Sequence, residues 1–181
     1  MKDIVIVEDK LKKGISLAQQ FKELEKNRPD LEFKVTTVCY FKPNVEAAKE
    51  EIEKCGKQEF EVLPVSLWNF DETMDRYWNS AHSVVIMDFQ LDGDGSGEVP
   101  TRRVNIRYAR RKIKNKETNT DESDKLWFYT GTGTNNYNIL CELVGKEHVL
   151  GVKESSIDFL RLDLEDDKFT RTLVKSGAGG V

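Results

Sequence analysis

Residues 83–94 read SVVIMDFQLDGD, an apolar run that ends at Asp88 and continues into an acidic stretch. Such a run is typical of a strand that is buried on both faces of a parallel sheet, and we predict that strand over Ser83–Met87. Three more short apolar runs lie between segments of helical composition: Asp3–Val7, Leu126–Tyr129 and Val149–Val152. With a further strand over Glu32–Tyr40, this alternation predicts an α/β fold with a doubly wound, five-stranded parallel sheet.

The intervals between these strands have the composition of helices. The first predicted helix ends near Asn27, and the others cover Val45–Cys55, Asp71–Asn79, Arg102–Lys116, Tyr137–Val144 and Ile157–Val174. Asp71 is predicted to be the N-cap of its helix, because a carboxylate accepts hydrogen bonds from the first N–H groups of a helix. Phe60–Leu67 is a candidate for an additional strand, which Pro64 limits to a sheet edge or a bulge.

Length, charge and cysteine content limit the class of protein. The 181 residues suit one domain, which we place at 1–175, with a flexible tail at 176–181. A net charge of −4 makes a nucleic-acid partner unexpected for this domain. Because the chain lacks a membrane-length apolar run and the features of a signal peptide, we expect a cytoplasmic protein without a membrane partner. Three scattered cysteines favour free thiols over a zinc site or a disulfide framework.

Polar residues that can carry chemistry stand at the ends of four predicted strands. In chain order they are Glu8 and Asp9, then Asp88, Thr130 and Lys153. The carboxyl ends of the strands of a parallel doubly wound sheet lie along one edge, where ligands bind. The sequence therefore predicts that an acidic pair, a further carboxylate, a hydroxyl and an ammonium group converge at that edge.

This combination of groups fits phosphoryl transfer to a carboxylate. Crowded carboxylates attract a hard divalent cation, typically Mg²⁺ with oxygen ligands, and the metal offsets charge on the incoming phosphoryl oxygens. A lysine supplies a second positive charge, and a threonine hydroxyl can donate a hydrogen bond to a phosphoryl oxygen. An aspartate such as Asp88 is a known kind of covalent nucleophile.

The motifs around these residues resemble those of a known family. IVIVEDK (4–10), VVIMDFQLDGDG (84–95), LWFYTGTG (126–133) and VLGVKES (149–155) are similar to the site motifs of bacterial response regulator receiver domains. Receivers have the flavodoxin-like fold and carry an acidic pair, a phosphoacceptor aspartate, a threonine or serine, and a lysine at these strand ends. The resemblance covers most of the chain.

The resemblance implies a role for each matching residue. Asp88 is the implied phosphoacceptor, Thr130 the switch hydroxyl and Lys153 the amine that pairs with the phosphate. The implied Mg²⁺ ligands are Glu8, Asp9, Asp88 and the backbone carbonyl of Gln90. The implied phosphoryl donor is a sensor histidine kinase or a phosphotransfer protein, whereas the output partner is not indicated.

The chain departs from the receiver pattern at several positions. Glu154 stands where a proline usually follows the lysine, Asp92 replaces another proline, and Leu150 replaces the aromatic switch residue. Asp88 lies 79 positions after Asp9 (88 − 9), more than a receiver needs. We assign the excess to an insertion at roughly 41–75, which we predict to add a helix and a strand, and a second, shorter expansion to about 114–125.

Two rival functions remain open. The departures from the pattern favour a degenerate receiver that acts as a phosphorylation-independent protein-interaction module, whereas the intact acidic triad opposes it. A Mg²⁺-dependent phosphotransferase or phosphatase would also need a separate general acid or base. The sequence offers no well-placed candidate for that group, so we do not expect an enzyme.

Several of these features also have simpler interpretations. Glu8 and Asp9 suit the acidic N-terminal turn of a helix. DGDGSG at 92–97 matches half of a calcium loop, but Arg103 occupies the position of the bidentate glutamate, which favours a flexible acidic turn. The basic segment Arg102–Lys116 contains no acidic residue and is either a solvated helix face or a docking surface for an acidic partner or nucleic acid. We expect Trp68, Trp78 and Trp127 to pack in the core or in the insertion.

Overall fold

Six parallel strands form a single sheet in the computed structural model of the chain. The structure describes residues 2–40, 45–78, 83–91, 99–114, 126–129, 134–150, 160–163 and 170–173. The strands of this sheet are β1 (Lys2–Glu8), β2 (Phe33–Tyr40), β3 (Glu61–Val65), β4 (Ser83–Asp88), β5 (Leu126–Tyr129) and β6 (Val149–Leu150). Their order is β3-β2-β1-β4-β5-β6, and every neighbouring pair is parallel. The predicted α/β doubly wound, flavodoxin-like fold is confirmed.

Helices connect the strands, as the alternation of the sequence predicts. They are α1 (Leu11–Asn27), α2 (Val45–Lys54), α3 (Phe70–Trp78), α4 (Val104–Lys114) and α5 (Thr134–Val144), with short 3-10 turns at Pro100–Arg102 and Lys146–His148. Every described helix is too short or too polar to cross a membrane.

Both faces of the sheet are buried, which explains the continuous apolar runs. Successive side chains of a strand point to opposite faces, so Ile4 and Ile6 pack with α1, whereas Val5 and Val7 lie on the other face. The α1 face adds core residues from four elements: Leu17, Ala18 and Phe21 of α1, Phe33 and Val35 of β2, Val84 and Ile86 of β4, and Trp127 of β5. The other face packs against residues of α3, α4 and α5, including Met74, Ile106 and Leu140.

The predicted insertion extends the sheet at one edge. The expected additional helix and strand are present as α2 and β3, and β3 pairs with β2 alone. Pro64 lies opposite Cys39 in this pairing. Because proline has no N–H to donate, it suits a strand at the edge of a sheet, as predicted for Phe60–Leu67.

The predicted helix over Ile157–Val174 is wrong. Leu160–Asp163 (β7) and Thr170–Leu173 (β8) are instead antiparallel strands that pair with each other. The first segment reads LRLD, which alternates apolar and charged residues with the period of a strand, and the second, TRTL, contains two β-branched threonines. These local preferences oppose the helix that the wider composition suggested.

The predicted N-cap role of Asp71 is also wrong. The helix begins one residue earlier, at Phe70, because the Asn69 carboxamide oxygen accepts a hydrogen bond of 2.7 Å from the Ser66 N–H and closes the preceding turn. Asp71 lies in the first turn, where its carboxylate accepts a hydrogen bond of 2.7 Å from Arg111 of α4. Asp71 therefore links α3 to α4.

The tryptophans differ from one another in burial. Trp127 is buried in the sheet core, as expected, but Trp68 is 88% exposed in the turn after β3, so the packing predicted for it is wrong. The side chain of Trp78 lies outside the described residues. In the turn between Ser66 and Asn69, Leu67 packs against the core while Trp68 faces solvent.

Candidate functional site

Three predicted site residues meet where two neighbouring strands end. Glu8 is the last residue of β1, Asp9 follows it, and Asp88 is the last residue of β4. One carboxylate oxygen from each of the three lies within 4.8 Å of the other two. After β1 the chain continues to β2 on one side of β1, whereas β4 lies on the other side, so the strand order reverses at this point. Such a switch point is where open α/β sheets bind their ligands.

The cluster is largely withdrawn from solvent. The exposed fraction is 0% for Glu8 and 7% for Asp88, whereas Asp9 is half-buried. Gly14 allows α1 to approach Glu8, because a Cβ atom at that position would lie 3.4 Å from the Glu8 Cβ and 2.8 Å from the Thr37 Cγ2. Sequence reasoning missed Gly14, although a glycine inside an otherwise amphipathic helix is a recognised signal of close packing.

Hydrogen bonds and an ion pair with Lys13 compensate part of this buried charge. The Lys10 backbone N–H donates to Glu8 Oε1 at 3.1 Å, and the Gln90 N–H donates to Asp88 Oδ1 at a long 3.4 Å. The Lys13 ammonium lies 3.5 Å from Glu8 Oε2. Lys13 is a member of the site that sequence reasoning missed.

Burial raises the pKa of Asp88 above the ordinary aspartate value. The negative charge of Asp9 raises this pKa further, while the Lys13 charge, a hydrogen bond with Glu8 and the Gln90 N–H lower it. Desolvation is the largest of these effects, so the net direction is upward. Ionisation of Asp88 is therefore less favourable than that of an exposed aspartate, and a divalent cation is the kind of ligand that would favour the ionised form.

Cys39 lies beside the cluster but does not add a soft ligand to it. It is opposite Glu8 in the β1–β2 pairing and is buried. Burial, together with the charges of Asp9 and Glu8, raises the pKa of its thiol to about 12. The thiol is protonated at neutral pH, and thiols bind metals as thiolates. The donor set is therefore three carboxylates, which fits a hard cation such as Mg²⁺.

Two side chains of the α4 region hold the backbone that follows Asp88. The Asn105 carboxamide donates to the Asp88 carbonyl oxygen at 2.7 Å and to the Phe89 carbonyl oxygen at 3.3 Å. Arg103 donates to the same Phe89 oxygen at 3.3 Å, and its guanidinium lies 4.4 Å from the centre of the Phe89 ring. Gln90, whose carbonyl is a predicted metal ligand, is the next residue.

The remaining predicted site residues lie outside the described part of the chain. These are Thr130, Lys153 and the calcium-like segment 92–97. Within the described residues, Tyr129 pairs with Asp88 across β4 and β5, and Leu150 pairs with Tyr129 across β5 and β6. Thr130 thus directly follows a residue that lies opposite Asp88, and Lys153 comes three positions after the end of β6.

Comparison with known proteins identifies no family, since no family model, curated protein or solved structure matches the chain. The strand order of the six-stranded sheet also occurs in dinucleotide-binding domains, which need a glycine-rich turn between β1 and α1. That turn here reads Glu8-Asp9-Lys10. Its two carboxylates would repel a pyrophosphate, so the site chemistry favours a cation over a dinucleotide.

Proposed function

We propose that this chain is a receiver domain of a two-component phosphorelay, which accepts a phosphoryl group on Asp88 and acts as a conformational switch. The observation that carries the proposal is the buried cluster of Glu8, Asp9 and Asp88 at the switch point of the sheet. A cluster of hard oxygen donors beside a carboxylate that can act as nucleophile is what metal-assisted transfer to aspartate requires.

The residues of the cluster have distinct roles in this proposal. Asp9 and Asp88 would hold Mg²⁺ together with the backbone carbonyl of Gln90, and Glu8 would assist. When bound, Mg²⁺ supplies positive charge that offsets the charge of the phosphoryl oxygens. An Asp88 carboxylate oxygen attacks the phosphorus atom, a new O–P bond forms, and the leaving group departs with its bonding electron pair. Asn105 and Arg103 keep the backbone at 88–90 in place during this step.

The resemblance to receivers implies that Thr130 and Lys153 respond to the phosphoryl group on Asp88. Thr130 would donate its hydroxyl to a phosphoryl oxygen, and Lys153 would pair with the phosphoryl group as a cation. The proposed donor is a sensor histidine kinase or a phosphotransfer protein, and a cytoplasmic location is proposed with it. The domain is proposed to change partner affinity, and no catalytic turnover is assigned to it.

One observation favours the alternative, a phosphorylation-independent interaction module. Lys13 already provides a positive charge 3.5 Å from Glu8, so part of the acidic cluster is compensated without a metal. The departures at Asp92, Leu150 and Glu154 agree with this alternative. An enzyme is less well supported: His148, the histidine within the described residues, contacts the Leu126 carbonyl at the start of β5, the opposite end of the sheet from the site.

Mass spectrometry of the intact protein separates these functions. We expect the native protein to gain the mass of one phosphoryl group from acetyl phosphate with Mg²⁺, and to gain none with EDTA. The Asp88→Asn protein should not be labelled. Asp71→Asn is the matched control, because Asp71 lies on the surface of α3 and pairs with Arg111, so it should be labelled like the native protein. Equal labelling of Asp88→Asn and native protein would exclude Asp88 as the acceptor.

A further inference from the structure

Lys13 differs from the other lysines around the start of α1. Residues 10–13 read KLKK, and Lys10 and Lys12 are exposed, whereas the Lys13 side chain has an exposed fraction of 21%. Its ammonium lies 3.5 Å from Glu8 Oε2. A lysine normally extends its charged end into water, so an inward position needs a compensating charge. The acidic cluster supplies that charge.

The cluster in turn depends on Lys13. The Glu8 side chain has no exposed surface, and removing one partner of a buried ion pair leaves an uncompensated charge that strongly destabilises a fold. The influence of Lys13 extends beyond Glu8, because its charge is the strongest of the effects that lower the pKa of Asp88. Lys13 therefore acts on two of the three carboxylates.

A metal ion and the Lys13 ammonium require the same carboxylates. One carboxylate oxygen each of Glu8, Asp9 and Asp88 lies within 4.8 Å of the other two, and the ammonium lies 3.5 Å from Glu8 Oε2. Two positive charges at such a separation repel each other in a site with little water. Tight metal binding thus requires Lys13 to withdraw from Glu8.

We propose that Lys13 is a resident counterion of the acidic cluster that competes with the divalent cation and keeps the metal affinity of the site low. Its role toward the metal rests on the proposed function, whereas its role as counterion of Glu8 does not. Lys13 is a positioning residue: it stabilises the metal-free fold and makes phosphorylation of Asp88 depend on the metal concentration.

Metal titration of Lys13 variants tests this competition. With Mn²⁺ or Mg²⁺ as the only ligand, Lys13→Met should bind about tenfold more tightly than the native protein by calorimetry, because one repelling unit charge is removed. Lys13→Arg keeps the charge and should retain the weak binding. Lys12→Met is the matched control on the exposed neighbour and should bind like the native protein.

The stability of the same variants provides a second readout that needs no metal. In EDTA, Lys13→Met should unfold at a lower urea concentration than Lys12→Met, because Glu8 loses its partner, and saturating Mn²⁺ should reduce or reverse that difference. If Lys13→Met is unfolded in EDTA, Mn²⁺ should restore its melting transition, and failure to do so would overturn the proposal.

The possible failures can be told apart. Equal metal affinity in native protein and Lys13→Met overturns the competition and leaves the proposed metal site intact. Equal stability of Lys13→Met and Lys12→Met in EDTA overturns the counterion role. If none of the proteins binds Mn²⁺ or Mg²⁺, the competition and the metal site of the proposed function are both overturned.

Discussion

The Asn105 side chain holds the backbone at Asp88 in place. It is fully buried in the first turn of α4, where its Nδ2 donates to the carbonyl oxygens of Asp88 (2.7 Å) and Phe89 (3.3 Å). Its Oδ1 accepts a hydrogen bond of 2.9 Å from the Ile106 N–H, one of the N–H groups that a helix start leaves without a partner. Asn105→Ala removes all three interactions.

The lost interactions predict a large decrease in stability. The contacts of 2.7 and 2.9 Å are well formed, and a buried donor or acceptor that loses its partner costs about 1–3 kcal/mol. Taking the two good contacts and allowing for some relaxation, we expect the free energy of unfolding to fall by about 2–4 kcal/mol. A domain of this kind has a total of about 5–15 kcal/mol, so the variant is expected to fold with a reduced margin.

Urea denaturation with the m-value held constant measures this change. Arg107→Ala is the matched control, because Arg107 is exposed on the same helix, and its free energy of unfolding should change by at most about 0.5 kcal/mol. Asn105→Asp keeps the volume but replaces the donor with an acceptor that faces carbonyl oxygens, so it should destabilise at least as much. If Asn105→Ala loses no more than the control, the bonds do not hold the loop after Asp88.

Three further predictions concern groups around the site. Burial raises the pKa of Asp88 in the folded protein above its value in the unfolded chain, about 4. The protonated carboxyl therefore stabilises the fold below about pH 4, and this stabilisation is lost as the pH rises through the pKa of the folded state. In EDTA at neutral pH, Asp88→Asn should consequently melt at a higher temperature than native protein. Gly14→Ala should lower stability in urea despite the better helix propensity of alanine, because the new Cβ would lie 2.8 Å from the Thr37 Cγ2; a gain of about 1 kcal/mol would contradict this. Thiol titration at neutral pH should modify half-buried Cys55 before Cys39, whose pKa is raised to about 12, and the opposite order would contradict the account.

The sheet and its acidic cluster were predictable because their signals are local. Four consecutive apolar residues in β1 and in β4 indicate strands that are buried on both faces. Once those strands are parallel neighbours, their carboxyl ends bring Glu8, Asp9 and Asp88 together. Pro64 likewise predicted an edge strand from its missing N–H, and β3 is one.

The residues that support the cluster were not predictable, because their roles depend on tertiary packing. Nothing in KLKK indicates which lysine turns inward, and that choice depends on how closely α1 approaches β1 at Gly14. Asn105 is one of two asparagines in the basic segment Arg102–Lys116, and no spacing relates it to Asp88. The β7–β8 hairpin was missed because the helical composition of the wider segment outweighed the strand-like alternation of two runs of only four residues.

The measurement that tests the central claim most directly is to locate the phosphoryl group within the labelled protein. After incubation with acetyl phosphate and Mg²⁺, borohydride reduces an aspartyl phosphate to the corresponding alcohol, which marks the modified residue for peptide mass spectrometry. We predict that the mark lies on Asp88 alone and is lost when EDTA replaces Mg²⁺. A mark on another residue, or an unmarked Asp88 in a protein that binds Mg²⁺, would contradict the assignment of Asp88 as the phosphoacceptor.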